Sequence, residues 1–508
     1  MRRATRHSAS RKGRRPAWHL VAAVVIAAGV RVMAAEPDDL PAPVFREGFS
    51  YKGAELCVRC HRSEQSAWCD TATSTAWRHD AHSRSHLALL STNPRTRSME
   101  EALGIKAAET TSCKACHTHP DAEPGPEEEI PEAENRFFHT GISCETCHGA
   151  GSSYLEPHLH TSWRFLSSAE KASHGMVDLR NPALKAENCL ACHMGDAGTG
   201  RVVPHAAYAA GHPPLGAFEM EAASAALGPH WKRVWEKSDR IQELAADKGY
   251  QVEAASTAHR SLIGALVALR ESALLVQKAA GPATARETLP SWPELSLYDC
   301  QACHHDLVLP SRRQQAGYGG LVPGRPGLVR WPRRLAEVAF STAEMPTAAD
   351  DILSPWVTSL NARPFGHRDD LRAPPGAGNA LARVDAAIAA LATVRRDASL
   401  PERQRQIAET LAAAGPRSGD LDSARPVAWV LADVIQTAPG WTATDRAAVR
   451  ARLETALDLR MPRPAEATAA AIPFWRTSLD AAAAYDPALA AEAFRLPPPQ
   501  TPAPLPPR

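Results

Sequence analysis

Five short units in this chain share one form, in which two residues separate a cysteine pair and a histidine follows at once. They are "CVRCH" (Cys57, Cys60, His61), "CKACH" (Cys113, Cys116, His117), "CETCH" (Cys144, Cys147, His148), "CLACH" (Cys189, Cys192, His193) and "CQACH" (Cys300, Cys303, His304). They use ten of the eleven cysteines and leave only Cys69. Two thiols one tight turn apart can each bond to a vinyl group of a porphyrin, and the next imidazole then lies beneath the ring, where it can bind iron. A zinc site or a redox dithiol also uses Cys-x-x-Cys. Neither needs a histidine directly after the second cysteine five times out of five, and an exported disulfide framework does not need it either. The spacing predicts five covalently attached haem c groups, with His61, His117, His148, His193 and His304 as proximal iron ligands.

Haem iron offers two axial positions, and the motif fills one. Of the 21 histidines, two precede residue 36 and five close the motifs; thirteen of the other fourteen lie between His79 and His305. Histidines that stop where the motifs stop are candidates for the second position. We single out His82, His86, His158, His205 and His212. In "AWRHDAHSRSHLALL", His82 and His86 would share a face if the segment were helical. His158 follows the third motif in "YLEPHLH", next to His160. His205 and His212 stand in "VVPHAAYAAGHPPL", where Pro213 and Pro214 stiffen the backbone. His79, His119, His139 and His305 lie near motifs, and His305 could serve only a neighbouring haem. His174, His230 and His259 read as ordinary surface residues. Met176, Met194 and Met220 are the competing ligand type, which would raise the potential. Histidines outnumber them, so mostly bis-histidine coordination is expected.

The rest of the chain must hold these groups. Residues 57–230 carry four motifs among Gly-, Pro- and Ser-rich loops, with "HPDAEPGPEEEIPEAEN" an acidic, mobile insertion. Porphyrins would supply much of the apolar surface there. Residues 230–280 switch to helical periodicity in "HWKRVWEKSDRIQELAADKGY" and "HRSLIGALVALRESALLVQKA" and return the chain to the fifth motif. Residues 330–490 hold no cysteine and one histidine. They predict helices near 333–343, 378–396, 402–414, 425–437, 444–459 and 466–486. The fold class expected is mainly α: a loop-rich multihaem cytochrome c domain over 36–320, including the helical insert 230–280, with an appended all-helical C-terminal domain over 330–490. Residues 491–508 form a Pro-rich tail read as disordered.

The 508-residue chain has a formal net charge of +1, so electrostatics give no case for a nucleic-acid partner or an anionic membrane. Arg2, Arg3, Arg6, Arg11, Lys12, Arg14 and Arg15 precede the short apolar run "LVAAVVIAAGV" and then "VMAAE". This pattern predicts a signal peptide over 1–35, cleaved near Ala34–Ala35, and a periplasmic or otherwise exported protein. Membrane association would need an uncleaved N-terminal segment or a docking partner.

The motifs and their surroundings resemble the cytochrome c-554-like multihaem family. The likeness rests on "CVRCH…AWRHDAHSRSHLAL", "GISCETCHGAGSSYLEPH", "CLACHMG", "AAGHPPLGAFE" and "LYDCQACHHDL", within residues 50–320. It implies a periplasmic electron carrier with closely stacked haems. It also implies haem ligation by His82, from a Trp-x-x-x-x-His element, and by His212 and His205 in and upstream of the "AAGHP" element. Many members carry a histidine where this chain has Tyr154, which puts His158 forward at the third site. Electron transfer between redox partner proteins is the first reading. The alternative is an oxidoreductase acting on a small nitrogen or sulfur compound at one open-coordinate haem, centred on the third motif, with His158 or His160 as proton donor.

Overall fold

A computed structural model describes residues 48–61, 77, 80–119, 141–160, 162–163, 166–227, 239, 243, 256–281, 292–305, 308–393, 400–460 and 484–499. The signal segment, Cys69, His79, His139, His230, residues 120–135 of the acidic insertion, most of 230–250, most of the helix expected over 466–486 and the end of the tail lie outside these residues. Among the described residues the chain is helices and loops, with one isolated antiparallel bridge between Asp196 and Arg201 and no strand. No helix among them is long and apolar enough to cross a membrane.

The motif-bearing part uses short helices: α1 (Ala54–His61), α2 (Pro94–Leu103), α3 (Thr111–His117), α4 (Cys144–His148), α5 (Ser168–Ser173), α6 (Pro182–His193), α7 (His205–Ala209) and α8 (Met220–Leu227). Four motifs form the last turn of a helix, so each histidine is the final helical residue of α1, α3, α4 or α6. The fifth is a 3₁₀ turn, Cys300–Ala302. Local chemistry explains the boundaries. Asn181 caps α6 by accepting the Ala183 and Leu184 amides, with Pro182 at the first position. Gly149 ends α4 at φ +83°, and a Cβ there would lie 2.1 Å from the Gly175 carbonyl oxygen. Only glycine permits that approach.

The later part is built on α9 (Thr257–Ala279), which is buried almost all round, as a central helix must be. It packs against α6 and α8 on one side. On the other it meets α11 (Arg333–Thr342), α13 (Arg368–Arg372), α14 (Ala377–Ala392) and α16 (Leu421–Val434); the short α10 (Arg312–Ala316) precedes α11, and α12 (Ala349–Ala362) comes between α11 and α13 in the chain. The helices α15 (Leu400–Ala414), α17 (Ala443–Leu457) and α18 (Pro487–Ala493) complete the described set. One apolar cluster runs through these elements and includes Leu190, Leu266, Phe340, Trp356, Leu431 and Phe494. Arg270 of α9 crosses the seam: it meets Glu187 of α6, and its Nη1 is 2.8 Å from Asp385 of α14.

Two features differ from expectation. Helix α12 carries Pro355 inside it, which masks the helical pattern of Ile352, Leu353, Trp356, Val357 and Leu360. Ser354 Oγ donates at 2.9 Å to the Asp351 carbonyl, the acceptor that the missing Pro355 amide would have served. His259, read above as a surface residue, is fully buried in the first turn of α9, its Nδ1 2.8 Å from Ser256 Oγ.

Candidate metal centres

Residues 80–89 are the hub of the motif region. His82 and His86 are not on one helical face, because the segment forms turns and then a 3₁₀ helix, Ser85–Leu89. The side chains explain this by competing for backbone groups. Asp80 Oδ1 accepts the His82 amide at 2.8 Å, Ser83 Oγ donates to the Asp80 carbonyl at 2.9 Å, and Ser85 Oγ donates to the His82 carbonyl at 2.7 Å. The same segment touches three motifs. Ser85 Oγ also lies 2.7 Å from the His117 carbonyl oxygen, and the Ile142 amide, entering the third motif, donates to the His82 carbonyl at 3.0 Å. The His82 ring faces His193 of the fourth motif, with ring centres 5.9 Å apart and planes at 75°.

Two further pairs have the same form. His212 faces His117 of the second motif at 6.3 Å and 84°, and His205 faces His304 of the fifth at 6.1 Å and 20°. For three of the six rings hydrogen bonds fix which nitrogen is offered. His212 Nδ1 is 2.7 Å from the Pro213 carbonyl and His117 Nδ1 is 3.2 Å from the Ser85 carbonyl. A carbonyl only accepts, so Nδ1 carries the proton and Nε2 keeps its lone pair. His82 Nδ1 lies 2.8 Å from Asp80 Oδ1 in the same sense. Burial pushes His193 and His212 down to about 4 and lowers His117, which keeps these rings neutral, the form that ligates metal. Phe218 stacks on His193 at 4.5 Å.

The other two distal candidates keep different company. His86 is half-buried, with its ring at the Ser83 backbone. His158 Nδ1 is 3.0 Å from the Tyr154 carbonyl, and its ring meets the Tyr154 ring edge-on at 6.1 Å. Tyr154 is buried and donates its hydroxyl to the Gly149 carbonyl at 2.7 Å. Burial pushes the phenol far above its ordinary range. Met220, a competing ligand in sequence, sits in the apolar core.

The motifs neighbour one another through specific bonds. Glu145, inside the third motif and only 1% exposed, accepts the amides of Lys52, Gly53 and Gly151 at 2.7–3.1 Å, tying the entry of α1 to α4. Ala54 and Val58 of α1 pack with Ile142, Cys144 and Cys147. Asn188 Nδ2 reaches the Cys147 carbonyl at 3.4 Å, joining the third motif to the fourth. Arg201 Nε donates to the Ala115 carbonyl at 2.8 Å, joining the segment after the fourth motif to the second. No disulfide joins the ten motif cysteines, so all ten sulfurs stay available for covalent attachment.

Residues 56–149, which hold the first three motifs, match the family described as cytochrome c554 and c-prime. This stretch is cytochrome c-554-like. A protein named cytochrome c-554 from Nitrosomonas europaea is 25% identical over 154 residues, 29% of this chain and 60% of that protein. The chain thus matches less than two thirds of that relative's length. No solved structure matches.

Whether the motif region can seat haem is a question of spacing. Two imidazoles sharing one iron, each with a metal–nitrogen bond of about 2 Å, place their ring centres roughly 6 Å apart. The three pairs meet that requirement, each joining a motif histidine to one outside the motifs. The residues fit the group. Sequence reasoning singled out all six of these histidines but missed the side chains that hold their segments, Asp80, Ser85 and Glu294, and those that tie motif to motif, Glu145 and Arg201. Asp80 had a signal, since a carboxylate two residues before a ligand histidine can hold its second nitrogen. The partners of Glu145 and Arg201 lie far away in sequence, and nothing local announces them.

Proposed function

We propose that the protein is an exported c-type cytochrome with five covalently bound haems that passes electrons between redox partner proteins. The observation that carries this reading is the set of three imidazole pairs at the spacing of two ligands on one iron. The cysteines of each motif would hold the porphyrin, and His61, His117, His148, His193 and His304 would bind iron from one side. His82, His212 and His205 would bind from the other. Each haem c supplies a one-electron couple between ferric and ferrous iron. The protein's part is to keep the imidazoles neutral, aim Nε2 through hydrogen bonds at Nδ1, and set the distances between motifs. Residues 36–320 would form the haem-bearing domain and 330–490 a helical domain that supports or docks it. Cleavage near Ala34–Ala35 would release the chain to the periplasm. The oxidoreductase alternative centres on Tyr154, whose hydroxyl is engaged by the Gly149 carbonyl and whose phenol is held protonated.

Intact-mass measurement and optical quantification of the purified protein test this directly. Five haem additions per chain, with electron paramagnetic resonance dominated by low-spin ferric signals, are expected. A chain without haem, or one whose iron is mainly high-spin and binds cyanide or nitrite, would remove the carrier reading.

A further inference from the structure

The family match ends at residue 149, and the fifth motif begins at Cys300, far beyond it. That match therefore does not say how the fifth centre joins the others. In sequence its nearest motif is the fourth. In space the connection is different, and one short segment makes it.

Residues 201–214 touch the second motif and the fifth in turn. Arg201 Nε donates to the Ala115 carbonyl within the second motif. Next, the His205 amide donates at 2.7 Å to Glu294 Oε1, which also accepts the Ser296 amide at 2.9 Å and so belongs to the approach to the fifth motif. The His205 ring then faces His304 of the fifth motif, and His212 faces His117 of the second. Tyr208 of α7 lies beside His212, 5.8 Å away by ring centres. The backbone is built to hold this span. Pro204 precedes α7, the His212 amide returns to the Ala207 carbonyl at 2.9 Å, Gly211 takes φ +115°, and Pro213 and Pro214 close the segment.

We infer that residues 204–214 are a clamp across two centres, with His205 the outer axial ligand of the fifth iron and His212 that of the second. The fifth centre is thereby fastened to the second and not to the fourth. Glu294 is a positioning residue for His205. With the contacts between the first and third, third and fourth, and fourth and second motifs, the clamp continues the row first–third–fourth–second–fifth. This inference rests on the five-haem reading above and adds the pairing and the order.

The ligand planes give it a spectroscopic signature. Near-parallel imidazoles on ferric iron give a rhombic low-spin resonance, whereas near-perpendicular ones give a strongly anisotropic signal at larger g. The fifth centre, at 20°, should be rhombic, and the second and fourth, at 84° and 75°, should be strongly anisotropic. The test is electron paramagnetic resonance of the oxidised full-length protein and of His205→Ala, His205→Met, His212→Ala and Glu294→Gln, each checked by intact mass. Haem is attached through the cysteines, so every variant should keep five additions. His205→Ala should turn a rhombic signal high-spin and spare the large-g signals; His212→Ala should do the reverse. His205→Met keeps a sixth ligand and should raise the potential of one centre only. Glu294→Gln should shift the rhombic signal alone. Five additions with unchanged spectra, or loss of a large-g signal in His205→Ala, would overturn the clamp while leaving the carrier reading intact. Missing haem mass in the parent protein would overturn both.

Discussion

The motif region and the helices beyond residue 327 are held together by different forces. In the later helices Phe340, Ile352, Leu353, Trp356 and Phe494 are fully buried in one continuous apolar cluster. The motif region lends α6 and α8 to that cluster, but its own apolar cluster is small: Ala54, Trp77 and Ile142, with Val58, Cys144 and Cys147 against them. Beside the apolar surface that bound porphyrins would supply, its segments are tied by buried or half-buried side chains that bond to distant backbone groups, as Glu145, Ser85, Arg201 and Glu294 do. Apolar packing is non-directional and tolerates volume-conserving change. Hydrogen bonds are directional over a few tenths of an ångström. A scaffold can rest on the first, but a site that must hold two imidazoles at one spacing needs the second.

The largest effect should come from the packed side. Phe340→Ala should lower the unfolding free energy by about 4 kcal/mol, the usual range for emptying a buried aromatic site. Urea unfolding would show it, with the haem absorption and resonance spectra unchanged. An altered spectrum would mean that the two regions are not separable in this way. On the hydrogen-bonded side, Glu145→Ala strands three buried or half-buried amides at about 1 kcal/mol each, so about 3 kcal/mol in all. Here the spectra should change as well, because the entry of α1 loses its tie to α4. Stability lost with no spectral change would place Glu145 with the packing residues.

Glu219 lies at the seam between the regions, where it caps α8 by accepting the Glu221 and Ala222 amides at 3.1 and 2.7 Å. It is 4% exposed, and burial pushes its carboxyl up from 4.5 to about 7. Since the folded state holds this proton more tightly than the unfolded chain, the stability it contributes is complete below pH 4.5 and is lost as pH rises to about 7. The shift corresponds to about 3 kcal/mol. Glu219→Gln cannot ionise yet keeps an acceptor oxygen, so it should be about 2 kcal/mol more stable than the parent at pH 8 after some loss in capping. At pH 4.5 the gain should vanish. An equal gain at both pH values would rule out this account.

The same contrast decides what could be read in advance. Helical periodicity predicted α9, α11, α14, α15, α16 and α17 to within a few residues, because an apolar stripe is written locally. It missed α12, where Pro355 breaks the pattern and Ser354 repairs it, and the short α10, α13 and α18. The motif cysteines and histidines were legible from spacing alone. So were His82, His205 and His212, as histidines crowded where the motifs are. Their pairing was not legible, because it depends on contacts across long separations, such as Ile142 with His82 or His205 with Glu294. Nor do His82 and His86 share the face that a helix would have given them, because Asp80, Ser83 and Ser85 claim the backbone for turns.

The smallest energetic change should be the most specific. Asp80 Oδ1 accepts both the amide and Nδ1 of His82 at 2.8 Å. Asp80→Asn keeps an oxygen for the amide and so should cost about 1 kcal/mol or less in unfolding, within the range of one altered hydrogen bond. It removes the negative charge behind the imidazole, however, and a less basic imidazole favours ferric iron less. If that preference falls about tenfold, the potential of one centre rises by about 59 mV for a one-electron couple. A redox titration followed optically should show one component moving upward and the others staying in place, with the spin state unchanged. Loss of a low-spin signal would mean that Asp80 holds His82 in position as well as tuning it. A titration identical to the parent's would mean that the charge does not reach the iron, and the motif region's hydrogen bonds would then serve geometry alone.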